Sequence, residues 1–160
     1  MENKLINNAV QQLKDNQDGT NWLDENFKKK LEEVNEVNAF VRPLPEIHSV
    51  AELVAHILIW RVQAIKRLQG IESNMTMNSP ENWRANDELK KIGWKKLKTD
   101  FFDSQIELIE LIKNNSDDYL ESNDYVSGYS YKYLVEGLIH HDIYHLGQIG
   151  ITLKLLNEKK

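Results

Sequence analysis

Apolar residues recur at helical intervals along most of the chain and almost nowhere alternate strictly with polar ones, so the pattern predicts helices throughout. The first run places Leu5, Ile6, Ala9, Val10 and Leu13, then Trp22, Leu23, Phe27, Leu31 and Val34, on helical spacing. Asp18-Gly19-Thr20 interrupts it. The region Glu2 to Asn38 therefore reads as one bent helix or two short ones, with Thr20 or Asn21 as a cap. Arg42-Pro43-Leu44-Pro45 cannot continue a helix, because proline lacks a backbone donor and pushes its predecessor to extended geometry.

A second helix starts at Ser49-Val50-Ala51-Glu52, which fits a capping box, and runs to about Gln69, with Gly70 as its terminator. Residues 71–82 read as a polar loop. A third helix is expected from about Asp87 to Lys113, on Leu89, Ile92, Leu97, Phe101, Ile106, Ile109 and Leu111. Asn114 to Tyr129 is polar and turn-rich. The last helix is expected from Tyr131 to about Leu156. No internal repeat or linker breaks the chain, so the expected fold is all-α: a four-helix bundle forming one domain over residues 1–160.

Composition narrows the chemistry. Of 160 residues, 41% are hydrophobic and 28% charged, an ordinary globular balance. There is no cysteine, which excludes disulfides, iron–sulfur ligation and thiol nucleophiles. The formal net charge of −5, and the dilution of Lys28-Lys29-Lys30 by Glu32 and Glu33, lead to the expectation that nucleic acid is not a partner. No run approaches the ~20 apolar residues that span a bilayer. Met1 to Val10 lacks the apolar core of a signal peptide. The expectation is a cytoplasmic protein with no membrane partner.

The candidate chemistry lies in three histidines. His141 and His145 stand four residues apart, roughly 40° around the helix and one turn along it. Leu134, Leu138, His141, His145, Gln148, Thr152 and Leu156 share a stripe about 80° wide, apolar at its ends and polar in its middle. The leucines predict that this stripe faces the core. Thr152 is expected to bond back to its own helix, and His140, about 100° off His141, to face solvent or the stripe's edge. On the second helix, His56 lies beside an apolar surface of Leu53, Val54, Ile57, Ala64, Ile65 and Leu68. A charged imidazolium there is costly, so His56 must stay neutral or have a partner. A metal meets both needs, and a hydrogen-bonded core histidine is the alternative. His48 is expected to lie outside the helix, away from His56. Asp142 occupies the position of the glutamate in a HExxH zinc protease but points about 100° off the ligand face.

Two stretches, His48-Ser49-Val50-Ala51-Glu52-Leu53-Val54-Ala55-His56-Ile57 followed by Trp60, and His141-Asp142-Ile143-Tyr144-His145-Leu146-Gly147-Gln148-Ile149, resemble the DinB-like (DinB/YfiT-type) superfamily. The resemblance implies an up-down-down-up bundle, often a homodimer. It also implies a divalent metal, commonly nickel or zinc, on the positions of His56, His141 and His145. Gln148 then bonds a ligating imidazole or a metal-bound water, or else a neighbouring helix. Trp60 and Tyr144 either pack or line a substrate pocket. Gly147 costs about 1 kcal/mol against alanine in a helix; a close helix approach is the expected reason, and backbone access for a ligand is the alternative. Relatives include transferases and isomerases that use low-molecular-weight thiols such as bacillithiol or mycothiol. The implied function is a metal-dependent S-transferase with a small-molecule substrate. A metal-dependent hydrolase and a non-catalytic dimeric metal- or ligand-binding bundle are the alternatives. Metal retention is expected to weaken below about pH 6.5, where free imidazoles protonate.

Overall fold

A computed structural model describes residues 3–123 and 128–158, and among them the regular structure is helical. The first region divides in two. Helix α1 (Lys4–Gln17) buries Ile6, Ala9, Val10 and Leu13 on one stripe. Its first free amides, of Leu5 and Ile6, donate to the Asp117 carboxylate at 3.0 Å, so a distant acid caps it and meets its positive end. Helix α2 (Phe27–Glu32) is capped by Asn26, whose side chain accepts from Lys29 N–H. The cap is therefore neither Thr20 nor Asn21, and the helical spacing at Val34 is not helix. The expected start at Glu2 lies outside the described residues.

Helix α3 (Val50–Leu68) carries the expected capping box, with Ser49 and Glu52 exchanging bonds. A short 3-10 helix (Pro80–Trp83) follows the loop. The expected third helix is broken: α4 (Asn86–Ile92) and α5 (Trp94–Lys113) meet at Gly93, which has φ 86°. That backbone favours glycine. The Glu36 carboxylate takes the Trp94 N–H at 2.9 Å and so starts α5 from another element. Inside the expected polar connection, α6 (Asp117–Glu121) forms one turn capped by Ser116. Residues 124–127 of that connection lie outside the described residues. Helix α7 (Tyr131–Asn157) is capped by Ser130 and closes the bundle.

Named bonds fix the helix directions. Gln105 donates to the Leu13 carbonyl (2.9 Å), and α1 begins beside Asp117, so α1 and α5 are antiparallel. The Tyr119 hydroxyl donates to the Leu68 carbonyl (2.6 Å), which puts the ends of α3 and α5 together, so they run parallel. Thr152 Oγ1 donates to the His48 carbonyl at 3.2 Å, which sets α7 antiparallel to α3. Thr152 thus bonds across the bundle instead of back to its own helix.

The core has two apolar halves. Phe27, Leu53, Ile57, Phe101 and Leu146 belong to one, and Leu13, Leu68, Leu108, Ile112 and Ile139 to the other. Between them, on α3, α5 and α7, come the buried polar residues Arg61, Ser104, Gln105 and Asp142. Among the described residues, no helix is long and apolar enough to cross a membrane.

Candidate metal centre

The middle turns of α3 and α7 face each other across the Arg61–Asp142 ion pair, which closes at 2.8 Å with both side chains essentially inaccessible. The Arg61 guanidinium also lies 4.3 Å from the centre of the Phe101 ring. Because His56 precedes Arg61 by five residues and His141 precedes Asp142, this register brings the three histidines together. His56 Nε2 lies 3.0 Å from His141 Nε2, which lies 3.1 Å from His145 Nε2. His56 and His145 are buried and His141 is half-buried.

The outer nitrogens decide what this cluster is. His56 Nδ1 is 2.8 Å from the Asn82 carbonyl, which can only accept, so Nδ1 carries the proton and Nε2 is bare. His145 Nδ1 donates in the same way to Gln148 Oε1 at 2.6 Å. Two bare lone pairs therefore face His141 Nε2. A proton there can satisfy only one of them, and His141 Nδ1 is buried without a partner. Left so, the cluster buries unpaired acceptors, which is costly. A cation among the three removes the conflict. Ligands about 2.0–2.1 Å from a tetrahedral ion stand roughly 3.3 Å apart, close to the separations here. His56, His141 and His145 therefore fit a divalent metal by position, tautomer and donor type.

The electrostatics agree. Burial, with the neighbouring His145, His56 and Arg61, pushes His141 down to about 3. Burial also pushes His145 down to about 4, against the Gln148 bond, with help from His56 and His48. His56 is lowered as well, chiefly by burial. All three are held as the neutral ligand form. Protons therefore compete for these nitrogens at lower pH than they do for free imidazoles, which titrate near 6.5.

Residues outside α3 and α7 complete the site. Asn82 accepts from His56 through its carbonyl and from the Trp60 indole N–H through Oδ1 (2.8 Å), and its own amide donates to the Met77 carbonyl. The Trp83 ring is sandwiched between His48 and His56, at 3.9 Å from each. His48 is thus not remote from His56: Trp83 joins them. Neither Asn82 nor Trp83 is legible as a site residue in the sequence, because the 71–82 loop has no periodicity. Pro80 at the head of a short helix is the one local signal. Arg61 had a signal that spacing alone does not use, an arginine within an apolar helical run.

The remaining candidates separate. Gln148 bonds a histidine of the cluster, as described. Trp60 and Tyr144 line a cavity of about 830 Å³ that opens onto all three histidines, with Met75, Met77, Tyr133 and Leu138 among its other walls. Tyr144 is 64% exposed, so it is no core aromatic. His140 is exposed. A Cβ at Gly147 would meet only open space, so no helix approaches it closely. Asp142 faces Arg61. Burial pushes its carboxyl up against the pull of that guanidinium.

The sequence profile of the DinB superfamily matches residues 21–149. No curated protein matches the chain in sequence. Among solved structures, the chain resembles the colibactin self-resistance protein ClbS in complex with a dsDNA. The TM-score is 0.62 and the identity 18%, over 94% of this chain and 92% of that one. That complex overturns the expectation that nucleic acid is excluded as a partner. A net charge sums the whole surface, whereas phosphate contacts need donors on only one face, so an acidic balance is no ground for the exclusion.

Proposed function

The chain belongs to the DinB superfamily, and on that footing we propose that it is a metal-dependent enzyme whose one divalent ion, nickel or zinc, is held by His56, His141 and His145. The observation that carries this reading is the convergence of three Nε2 atoms while two Nδ1 atoms donate outward. Three protein ligands leave a coordination position for another molecule, and the cavity lies on that side. An ion there supplies a positive charge that favours the ionised form of a thiol or water brought to it.

The chain's own residues do the positioning. Asn82 and Gln148 fix two imidazole tautomers. Trp83, stacked on His56, stops that ring from turning. The walls of Trp60, Met77, Tyr133 and Leu138 exclude water and bind the apolar body of a small-molecule substrate. Asp142, the carboxylate nearest in sequence to the ligands, is committed to Arg61 and unavailable as a general base. With no carboxylate base at the ligands, this favours transfer of a low-molecular-weight thiol, acidic enough to lose its proton to solvent, to an electrophile over hydrolysis, which would need a base for water. A homodimer is supported by the face of α7 on which Tyr133, Tyr144 and Ile151 are exposed.

A second reading follows ClbS: this chain too contacts duplex DNA, with an affinity that falls steeply as salt rises.

The test is elemental analysis of tag-free protein. Wild type is expected to carry close to one divalent ion per chain, and His145→Ala less than a fifth of that. Equal metal in both would sink the assignment.

A further inference from the structure

Helix α3 has a second apolar stripe that the bundle covers only in part. Leu58, Ile59 and Val62 stand at i, i+1 and i+4, one turn on from the buried Ala55 and away from the core-facing Leu53, Val54 and Ile57. Leu58, Ile59 and Val62 are only half-buried. With Ile92 and Leu97 they floor a groove of about 980 Å³ between α3, α4 and α5. Trp83 divides this groove from the histidine cavity, and its ring lines both.

The rim of the groove is acidic on both sides. Glu81 and Glu88 stand along one edge, and Asp100, Asp103 and Glu107 along the other, against a single guanidinium, Arg84. Arg84 is taken by Glu88 at 3.6 Å, and Asp100 by Lys96 at 2.8 Å. Among the described residues, Glu81, Asp103 and Glu107 make no side-chain hydrogen bond or ion pair. An apolar floor between two acidic edges selects its occupant by charge. A second copy docked symmetrically here would set carboxylates against carboxylates. Duplex DNA and anionic membranes are repelled for the same reason. A small monovalent cation would neutralise one edge and leave the other. On α5 alone the carboxylates extend from Asp100 to Glu107, about 10 Å at helical rise, or two turns.

We propose that this groove docks a basic amphipathic helix of a partner protein, its apolar face on Leu58, Ile59 and Val62 and its lysines or arginines against Asp103, Glu107 and Glu81. The mode is helix-in-groove recognition, with the floor giving affinity and the two edges fixing orientation. The site is separate from the metal centre, and it stands whether or not a metal binds.

The test uses a fluorescein-labelled 14-residue peptide of leucine and lysine in helical period, read by anisotropy. Asp103→Lys/Glu107→Lys is expected to weaken binding at least tenfold. Glu32→Lys/Glu121→Lys makes the same change in net charge at exposed sites elsewhere and is expected to stay within twofold of wild type. A peptide of the same composition with its leucines scattered around the helix is expected to bind at least tenfold more weakly. All four substituted positions are exposed, and circular dichroism checks that the fold is kept. Absence of binding to wild type would overturn the proposal. So would equal weakening by the two double variants, which marks a net-charge effect, or displacement of the peptide by equimolar octylammonium, which marks a small-cation site.

Discussion

Arg61→Met is expected to destabilise the fold by about 3–5 kcal/mol, because it leaves the Asp142 carboxylate buried without its counter-ion. For a chain of this size that is a fall of roughly 10 °C or more in Tm. The pair is poorly satisfied even when intact: Arg61 Nε and Asp142 Oδ1 have no hydrogen-bond partner. Its contribution is therefore asymmetric. Losing one partner is severe, whereas replacing both with apolar groups removes two desolvation costs at once. Arg61→Met/Asp142→Leu is accordingly expected to recover most of the stability lost in the single variant. Urea unfolding followed by circular dichroism measures both. A single variant within 1 kcal/mol of wild type, or a double variant no better than the single, would show that the pair does not act this way. The same bond sets the register of α3 on α7, so the double variant tests whether packing alone keeps His56 facing His141.

Free zinc at about a thousand times its Kd is expected to raise the unfolding free energy by about 4 kcal/mol, since it binds the folded chain and not the unfolded one. That corresponds to a Tm rise of roughly 10 °C. His145→Ala should gain less than a quarter of it. The dependence on pH separates this reading from casual zinc binding at exposed histidines. In the metal-free protein His141 and His145 bind protons more weakly when folded, at about 3 and 4, than when unfolded, near 6.5. Their contribution to stability is therefore full above pH 6.5 and is lost as pH falls toward 4. The unfolded reference is the same with zinc. The two curves should fall in parallel, with the zinc increment kept below pH 6.5, where free imidazoles already protonate. An increment that disappears near pH 6.5 would place the metal on exposed imidazoles instead. Thermal and urea unfolding between pH 7.5 and 5 read this directly.

The helical pattern carried much of the fold, and its failures have local physical causes. The capping box at Ser49 and the terminator at Gly70 were legible because short-range chemistry decides them. Gly93 was not, since whether a glycine breaks a helix depends on what replaces the missing cap, and here that is Glu36 from another element. Val34 kept helical spacing without a helix because its carbonyl is wanted by the Trp94 indole. The three histidines could be read from an i, i+4 pair and an imidazole beside an apolar face. What holds them could not: Asn82 and Trp83 come from a short 3-10 helix whose position only tertiary packing sets. Charge summed along the chain misled twice. It excluded a partner class that a protein of this fold holds, and it hid an acidic edge that only the folded surface assembles.

X-ray absorption at the metal edge of the zinc-loaded, tag-free protein tests the central claim most directly. Three imidazole nitrogens at about 2.0–2.1 Å, with one further light atom that changes when a thiol is added, is the predicted result. Fewer than three imidazoles, or a fourth protein ligand that no added thiol displaces, would contradict it.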